Sequence, residues 1–289
     1  MCVQYVILDL EWNTAYARSR ECYVNEIIEF GAVKLNEDRK VVDSFSSFVH
    51  PQIGKRINSR VKNLTSITNQ DVADADIYQT VEKQFSDWVG DPSETVLMSW
   101  GDMDIRTLID NNKYFHDDPH IPFVYYYLDL QAYFMKQKGL PKAKQIGLSN
   151  AADLIDEDPE QFVHHRALGD SELTAVCFNA VYDEESFEES VIECDDDFYK
   201  RILFHPYVIK TLKDPLVDHD ELACKCLECG KSAFVRNDWK FSGNAFRAVM
   251  ECPECHNKYR VSVQFKRMYD QIAIKKNVCQ LKKPKKKIK

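Results

Sequence analysis

Apolar and polar positions along the first fifty residues follow the pattern of β-strands. The stretch VQYVILDLEWN is a short apolar run rich in β-branched residues, and EIIEFGAVKL and VVDSFSSFVH are two further runs of the same character. The polar segment NEDRK between the last two has the length of a hairpin turn. The sequence therefore predicts three strands at the start of the chain, the second and third joined as a hairpin.

Helical spacing appears next. Apolar side chains recur three or four residues apart at Ile77, Val81, Phe85 and Trp88, which predicts an amphipathic helix that begins near Asp74 or Asp76. Two more strands and four more helices follow: ETVLMSW and FVYYYLD, then DIRTLIDNNKYF, LQAYFMKQKG, LSNAADLI and LGDSELTAVCFNAVYDEES. A strand meander followed by alternating helices and strands predicts an α/β domain over residues 1–188, with a mixed sheet flanked by helices.

The remaining hundred residues have a different composition. An acidic, proline-punctuated segment over 189–221 is interpreted as a linker, and 222–268 carries short strands around a group of cysteines, typical of a small β module. The last fifteen residues contain eight lysines and no acidic residue, so 269–289 is predicted to be a basic disordered tail.

Charge is divided between the two parts of the chain. The net charge is -8, but residues 1–190 contain 17 Lys and Arg against 33 Asp and Glu, whereas 191–289 contain 21 against 13. A polyanion would be attracted by the C-terminal part or by local basic patches. No apolar run reaches the roughly 18 residues of a membrane span, and the N-terminus lacks the features of a signal peptide, so we expect a cytoplasmic protein with reduced thiols.

Two carboxylates stand at the end of the first predicted strand. Asp9 and Glu11 are two residues apart, so their side chains project from the same face of the strand. Like charges in an apolar setting repel and lose hydration, and a cation between them is the simplest compensation. The alternative is that the strand has already ended and both carboxylates point into solvent.

Two further segments carry acidic residues at helix starts. Asp102 fits a helix N-cap, whereas Asp104 is freer to face the carboxyl end of the sheet, where open α/β sheets bind ligands. Both could instead favour only the helix dipole. In VHHRALGD, a loop-to-helix turn with small residues can bring His165 and Asp170 to one point, although a histidine pair is also a common surface feature.

The cysteines form two Cys-x-x-Cys knuckles, CLECG and CPECH, separated by 22 residues of strand character. This pattern predicts a zinc ribbon in which one structural Zn²⁺ is held by four thiolates, those of Cys226, Cys229, Cys252 and Cys255. Cys224 could replace Cys226. Residues 222–289 hold 17 Lys and Arg against 5 Asp and Glu with interleaved aromatics, a surface suited to nucleic acid or to a protein partner.

The three carboxylate motifs, taken in order, resemble the DEDDh family of 3′–5′ exonucleases in the RNase T and proofreading exonuclease superfamily. The resemblance covers residues 4 to about 185. IIEFGAVKL, LTSIT and the WG-x-x-D form of the second motif are similar to the branch of KapD-like and histone-mRNA 3′-exonuclease-like proteins. The family has an RNase H-like fold, which the resemblance implies for this chain.

The resemblance also implies a two-metal mechanism with two Mg²⁺ or Mn²⁺ ions. In that scheme Asp9 bridges the ions, Glu11 and Asp170 complete the site that holds the attacking water, and Asp104 supports the other ion through water. His165 matches the general base, whereas His164 stands on the variable side of the motif and is expected to be structural or solvent-facing. The expected products are 5′-mononucleotides released from single-stranded nucleic acid, RNA in preference to DNA.

The tryptophans beside the motifs allow two interpretations. Trp12 and Trp100 flank the first two motifs and are candidates to stack on the terminal base, but both could equally belong to the core. The function of the chain also has an alternative, a catalytically inactive nuclease-fold protein in which the zinc ribbon binds nucleic acid or acts as a scaffold. The presence of all five motif residues favours the enzyme.

Overall fold

The structure is a computed structural model that describes residues 4–141, 145–162 and 165–281. The chain divides into two compact units, Met1–Ile202 and Leu203–Lys289. In the described part of the chain, no helix is both long and apolar enough to cross a bilayer.

The first unit is built on a six-stranded mixed sheet with the order β3-β2-β1-β4-β5-β6. The central strand β1 runs antiparallel to β2 and parallel to β4, and the parallel pair of β4 and β5 completes the middle of the sheet. The strands are β1 Gln4–Ala17, β2 Cys22–Asn36, β3 Val41–Phe48, β4 Thr95–Ser99, β5 Tyr126–Asp129 and β6 Ile192–Glu193. The predicted mixed sheet with flanking helices is confirmed.

Helices cover the sheet. They are α1 Ser59–Thr65, α2 Tyr78–Val89, α3 Met103–His116, α4 Leu130–Gln137, α5 Leu148–Asp153, α6 Ala167–Val181, α7 Glu184–Glu188 and α8 Asp196–Leu203. Helix α6 is apolar on most of its surface and packs in the main core, where Phe178 lies with Ile7 of β1 and Phe134 of α4. This packing fixes the start of α6 against the sheet.

Helix α2 begins later than the sequence suggests. Its first residue is Tyr78, and neither Asp74 nor Asp76 caps it. The backbone carbonyl of Asp76 instead accepts a hydrogen bond from the amide of His50, and His50 and Ile77 form a β-bridge. The chain before the helix is therefore held extended against the loop after β3.

The second unit is a seven-stranded sheet. Five strands follow the order β13-β12-β11-β9-β8, with β10 beside β11 and β7 beside β12. Their bounds are β7 Tyr207–Val208, β8 Cys224–Lys225, β9 Ser232–Val235, β10 Lys240–Ser242, β11 Ala245–Glu251, β12 Lys258–Arg267 and β13 Ile272–Gln280. One face of β11 and β12 packs into a core that includes Phe246, Tyr259 and Phe265.

Two predicted boundaries are wrong. The expected linker 189–221 contains α8, whose Phe198 and Ile202 are buried in the first unit, and β7, which pairs with β12. The expected disorder from residue 269 does not extend to Ile272–Gln280, which forms β13 and pairs along β12. Ile272 and Val278 pack against the core of the second unit, and the lysines between them conceal that apolar pattern in the sequence. Residues 282–289 lie outside the described residues.

Candidate active site and cysteine cluster

One cavity of about 680 Å³ in the first unit gathers the side chains of all three carboxylate motifs. Strand β1 contributes two of them, the start of α3 one, and the loop and first turn of α6 the remaining two. The five predicted residues that line this cavity are Asp9, Glu11, Asp104, His165 and Asp170. Because they come from segments up to 161 positions apart, the fold and not local sequence brings them together.

Three of the carboxylates converge. Oxygen atoms of Asp9, Glu11 and Asp170 all lie within 4.8 Å of one another. Asp104 lies outside this group of three but is buried beside it, and its Oδ1 accepts a hydrogen bond of 3.1 Å from the amide of Leu10. Asp104 therefore ties the start of α3 to the backbone of β1 between the two carboxylates of the first motif.

A glycine on β2 allows α6 to approach the carboxylates. Gly31 is the strand partner of Asp9, and a Cβ atom on it would lie 2.0 Å from the backbone nitrogen of Leu168. The hydroxyl of Ser171 donates a hydrogen bond of 2.8 Å to the carbonyl of Gly31. Only glycine permits this contact, which seats the first turn of α6, and Asp170 with it, directly over β1 and β2.

A buried ion pair holds the loop before α6. Glu29, the strand partner of Glu11, is 1% exposed, and its Oε1 lies 2.7 Å from Nη2 of Arg166. Its Oε2 also accepts a hydrogen bond of 3.3 Å from the amide of Ala167. His165, the residue before this clamp, has a φ of +55°, in the left-handed region. Sequence reasoning missed Glu29, although a charge inside the apolar run IIEFGAV is itself a signal.

The electrostatics of the cavity call for positive charge. Burial raises the pKa of Asp9 well above its usual range, with the carboxylates of Asp104 and Asp170 adding to the effect. Burial and the nearby Asp170 raise the pKa of Glu11 to about 8, and burial raises that of Asp104 to about 7. Carboxylate oxygens without sulfur or nitrogen donors suit hard divalent cations such as Mg²⁺ and Mn²⁺. The donor set therefore fits the ions expected from the sequence.

The flanking residues have different environments. Trp12 and Trp100 are both half-buried and line the cavity, but Nε1 of Trp100 donates a hydrogen bond of 3.1 Å to the carbonyl of Ile146. Asp102 precedes α3 without accepting a capping hydrogen bond from it. It pairs instead with Arg106, at 2.8 Å, because the arginine one turn later lies beside it on the helix surface. His164 lies outside the described residues.

The second unit contains a cluster of four sulfur atoms. The Sγ atoms of Cys226, Cys229, Cys252 and Cys255 all lie within 4.8 Å of one another. Each knuckle is a tight turn that ends four residues after its first cysteine in a left-handed residue, Gly230 with φ +72° or His256 with φ +56°. Its amide donates to the carbonyl of that first cysteine, at 3.0 and 3.1 Å. Four converging sulfurs fit tetrahedral Zn²⁺.

Tyr259 supports the cysteine cluster from the core side. Its hydroxyl lies 3.1 Å from Sγ of Cys226 and accepts a hydrogen bond of 3.2 Å from the amide of Leu227. Hydrogen bonds from the amide of Cys229 and from this hydroxyl lower the pKa of Cys226 to about 6. Cys224 lies outside the group of four and packs in the neighbouring apolar core. Sequence reasoning missed Tyr259, which no spacing rule distinguishes from an ordinary core tyrosine.

The sequence matches the model of the exonuclease family (RNase_T) over residues 6–178, a segment that contains every carboxylate of the cavity. The chain belongs to this exonuclease family. It is 26% identical over 186 residues to the probable 3′-5′ exonuclease KapD of Bacillus subtilis, an alignment that covers 64% of this chain and 87% of KapD. It is 34% identical over 84 residues to the human 3′-5′ exoribonuclease 1, covering 29% of this chain and 24% of that protein.

The fold of this exonuclease is found in solved structures. The nuclease domain of 3′hExo, described as a DEDDh family member bound to rAMP, aligns with a TM-score of 0.52 and 22% identity, covering 61% of this chain and 90% of that one. The sequence-based identification of a DEDDh-type 3′–5′ exonuclease with an RNase H-like fold is thereby confirmed. These similarities concern the first unit.

Proposed function

We propose that this exonuclease removes nucleotides one at a time from the 3′ ends of single-stranded nucleic acid, RNA in preference to DNA, and releases 5′-mononucleotides. The observation that carries the proposal is the convergence of three carboxylates within 4.8 Å, with His165 on the same cavity. A site of this kind suits phosphodiester hydrolysis, because the anionic substrate needs cations and the water needs a base.

Two Mg²⁺ or Mn²⁺ ions would be held by Asp9, Glu11, Asp104 and Asp170. When bound, such ions neutralise the carboxylates and stabilise the negative charge that develops on the attacking and leaving oxygens. The chain's own contribution is to keep the donors in place. Asp104 is fixed by its hydrogen bond to Leu10, and Asp170 by the contact of α6 with Gly31.

His165 takes the proton from the attacking water in this proposal. An imidazole can exchange a proton near neutral pH, and His165 is exposed at the edge of the cavity, where it can pass the proton to solvent. The water oxygen bonds to phosphorus while the bond from phosphorus to the 3′ oxygen of the preceding nucleotide breaks. That oxygen becomes the hydroxyl of the shortened strand, and the terminal nucleotide leaves as its 5′-monophosphate.

The terminal base has a candidate platform in Trp12, which lines the cavity next to Glu11. Trp100, held through its indole N–H and packed at 5.5 Å from the ring of Phe134, forms a fixed wall opposite the base. The preference for RNA is supported by two related proteins, one named a 3′-5′ exoribonuclease and the other solved with rAMP.

Matched 5′-labelled RNA and DNA decamers, incubated with the purified protein and Mg²⁺ or Mn²⁺, test the activity and the preference together. We expect a ladder of single-nucleotide steps, faster on RNA, that disappears in EDTA and falls at least about 100-fold in Asp104→Asn. Asp102→Asn is the matched control, since it removes a carboxylate two residues away that pairs with Arg106. Intact decamers under every metal condition would contradict the enzyme and favour a binding protein.

For the second unit, we propose that the four-cysteine cluster holds one Zn²⁺ and that the open face of the sheet binds the nucleic acid strand. Alternation along β12 places Tyr259, Val261 and Val263 in the core and turns Arg260 and Lys266 to the opposite face. The register places Lys275 of β13 on that open face as well, beside Gln264.

Neutral variants of this face test the binding role. Arg260→Gln with Lys275→Gln is expected to weaken strand binding and to lower its salt dependence by about 0.7 in log–log slope for each phosphate that the variant no longer neutralises. Lys276→Gln is the matched control, because Lys276 lies on the other face and pairs with Glu221 at 3.7 Å. An unchanged slope in the double variant would favour a protein partner for this unit.

A further inference from the structure

Six basic side chains in the acidic first unit are concentrated in two short segments. Residues 12–20 and 51–70 together contain six Lys and Arg and no Asp or Glu, whereas the whole of residues 1–190 has 17 against 33. The six are Arg18, Arg20, Lys55, Arg56, Arg60 and Lys62, and all are exposed. Positive charge that is segregated in this way, inside a domain of opposite net charge, suggests a local anion-binding surface.

The two segments meet beside the carboxylate cavity. A second cavity of about 490 Å³ is lined by Arg18 from the end of β1 and by Lys55 and Arg56 from the loop before α1. Thr14 lines both cavities, and Arg60 lines the first together with the carboxylates. The two cavities therefore share a wall on β1, with acidic side chains at one end and basic side chains at the other.

This surface is held by buried contacts. Asn13 is 1% exposed and clamps the loop to β1, since its Nδ2 donates at 3.2 Å to the carbonyl of Arg56 and its Oδ1 accepts from the amide of Asn58 at 3.0 Å. Glu26, 2% exposed, accepts hydrogen bonds from the amides of Ile53 and Gly54 at 2.6 and 2.8 Å. Two buried polar side chains thus fix the backbone that carries Lys55 and Arg56.

Most of these cations have no anionic partner among the described residues. In that part of the chain neither Arg18, Lys55, Arg56 nor Arg60 forms an ion pair, whereas Arg20 pairs with Asp117 at 2.6 Å. Along the same stretch of β1 the buried Asn13 and Ala15 alternate with exposed Thr14 and Tyr16, so hydroxyl and aromatic groups face outward between the cations. Cations that are available to a ligand, with an aromatic side chain between them, are the composition of a single-strand binding groove.

We propose that this second cavity, called here the entry groove and lined by Thr14, Tyr16, Arg18, Lys55 and Arg56, binds the phosphates of the nucleotides that precede the 3′-terminal one. The inference rests on the proposed function, because it takes the substrate to be a single strand whose end lies among the carboxylates. The groove gives the acidic domain its own contact with the polyanion, independent of the second unit, and makes hydrolysis depend on strand length.

The test compares the full-length protein with the triple variant Arg18→Gln, Lys55→Gln and Arg56→Gln on a decamer and on a dinucleotide. Each phosphate contact in a single strand contributes a slope of about 0.7, or roughly fivefold in affinity at 0.1 M salt. We expect kcat/KM on the decamer to fall about 100-fold and its log–log salt slope to fall by about 2. On the dinucleotide, which cannot reach the groove, the fall should stay below about threefold.

The matched control is Lys40→Gln with Lys83→Gln, which removes two exposed cations that line neither cavity. Equal losses on decamer and dinucleotide, or a triple variant that behaves like the control, would overturn the groove while leaving the exonuclease intact. If the parent protein cleaves neither substrate, the proposed function fails. The groove is then decided by anisotropy of the labelled decamer in EDTA, where equal affinity of parent and triple variant would refute it.

Discussion

The two candidate metal centres of this chain are built in opposite ways. The carboxylate centre collects its residues from β1, α3 and α6, between Asp9 and Asp170, whereas the cysteine cluster collects four sulfurs from two turns that each span a few residues. The first lies on a unit with a large core of aromatic and branched side chains, and the second on a smaller unit. In the first the fold positions the donors, and in the second the donors and their ion help to make the fold.

Buried charge shows the same difference. In the carboxylate centre, burial raises the pKa of Glu11 to about 8, so the metal-free site retains protons. In the cysteine cluster, local hydrogen bonds lower the pKa of Cys226 to about 6, so the turn is prepared for a thiolate. The carboxylate centre can therefore exist folded and protonated without ions, whereas the cysteine cluster has little to replace a bound cation.

The largest expected effect is on the second unit when zinc is removed. Structural zinc contributes about 10 kcal/mol or more to the folding of small modules, so 1,10-phenanthroline should unfold this unit and leave the first one folded. Amide hydrogen exchange read by mass spectrometry should show lost protection over β11 and β12 and unchanged protection over β1. Cys252→Ser should have the same effect, and Cys279→Ser, outside the cluster, should not. Protected β11 and β12 after chelation would refute the contrast.

The next largest effect concerns catalysis at the carboxylate centre. His165→Ala should reduce kcat by about 10² to 10⁴-fold, the range of general base catalysis, because the water loses its proton acceptor. Binding of Mn²⁺, measured by calorimetry, should be retained, since the four carboxylates are untouched. His164→Ala is the neighbouring control and should have a much smaller effect on kcat. Parallel loss of ion binding in His165→Ala would show that this residue supports the fold of the site and not the proton transfer.

Sequence reasoning succeeded where the chemistry is written in short spacings. The period of two placed Asp9 beside Glu11 on one strand, and the repeated Cys-x-x-Cys spacing selected four cysteines that do converge. It failed where long-range contacts decide. The role of Gly31 becomes visible only when Leu168, 137 positions later, packs against it at a distance that leaves no room for a side chain. Strand β13 was missed because its lysines outweigh the two apolar residues that anchor it.

The third prediction concerns pH. Because the pKa values of Glu11 and Asp104 rise from 4.5 and 3.8 in the unfolded chain to about 8 and about 7, the metal-free fold binds protons that the unfolded chain has released. Stability from these groups is therefore fully present at low pH and is lost as pH rises from about 5 to 8. We expect the free energy of unfolding of the first unit in EDTA to fall by about 3 kcal/mol over this window.

Urea titrations followed by hydrogen exchange over β1 measure this loss. Saturating Mg²⁺ should stabilise the protein more at pH 8 than at pH 6, because the ions bind the deprotonated carboxylates. Asp104→Asn should show a shallower pH dependence in EDTA than the parent. The cysteine unit provides the internal comparison, and a metal-free first unit that gains stability toward pH 8 would contradict the reasoning.

The smallest expected effect concerns Glu29, which holds the loop that carries His165. Glu29→Gln keeps the shape of the side chain but removes the charge that clamps Arg166, so His165 should lose its fixed position. Because Arg166 stays partly exposed, we expect a destabilisation of about 2 kcal/mol, below the 3–5 kcal/mol typical of a fully buried pair. We expect kcat to fall about tenfold with little change in KM, as in the loss of an interaction made in the transition state.

A structural role alone would give a different pattern. Glu82→Gln is the matched control: it removes another buried carboxylate, which pairs with His116 at 3.4 Å and lines neither cavity. It should lower stability to a similar degree and leave kcat within about twofold of the parent. If Glu29→Gln loses stability but not kcat, or if His165→Ala/Glu29→Gln is slower than His165→Ala alone, then Glu29 does not act through His165. Equal rates in those last two variants would mean that the clamp serves catalysis only by positioning the imidazole.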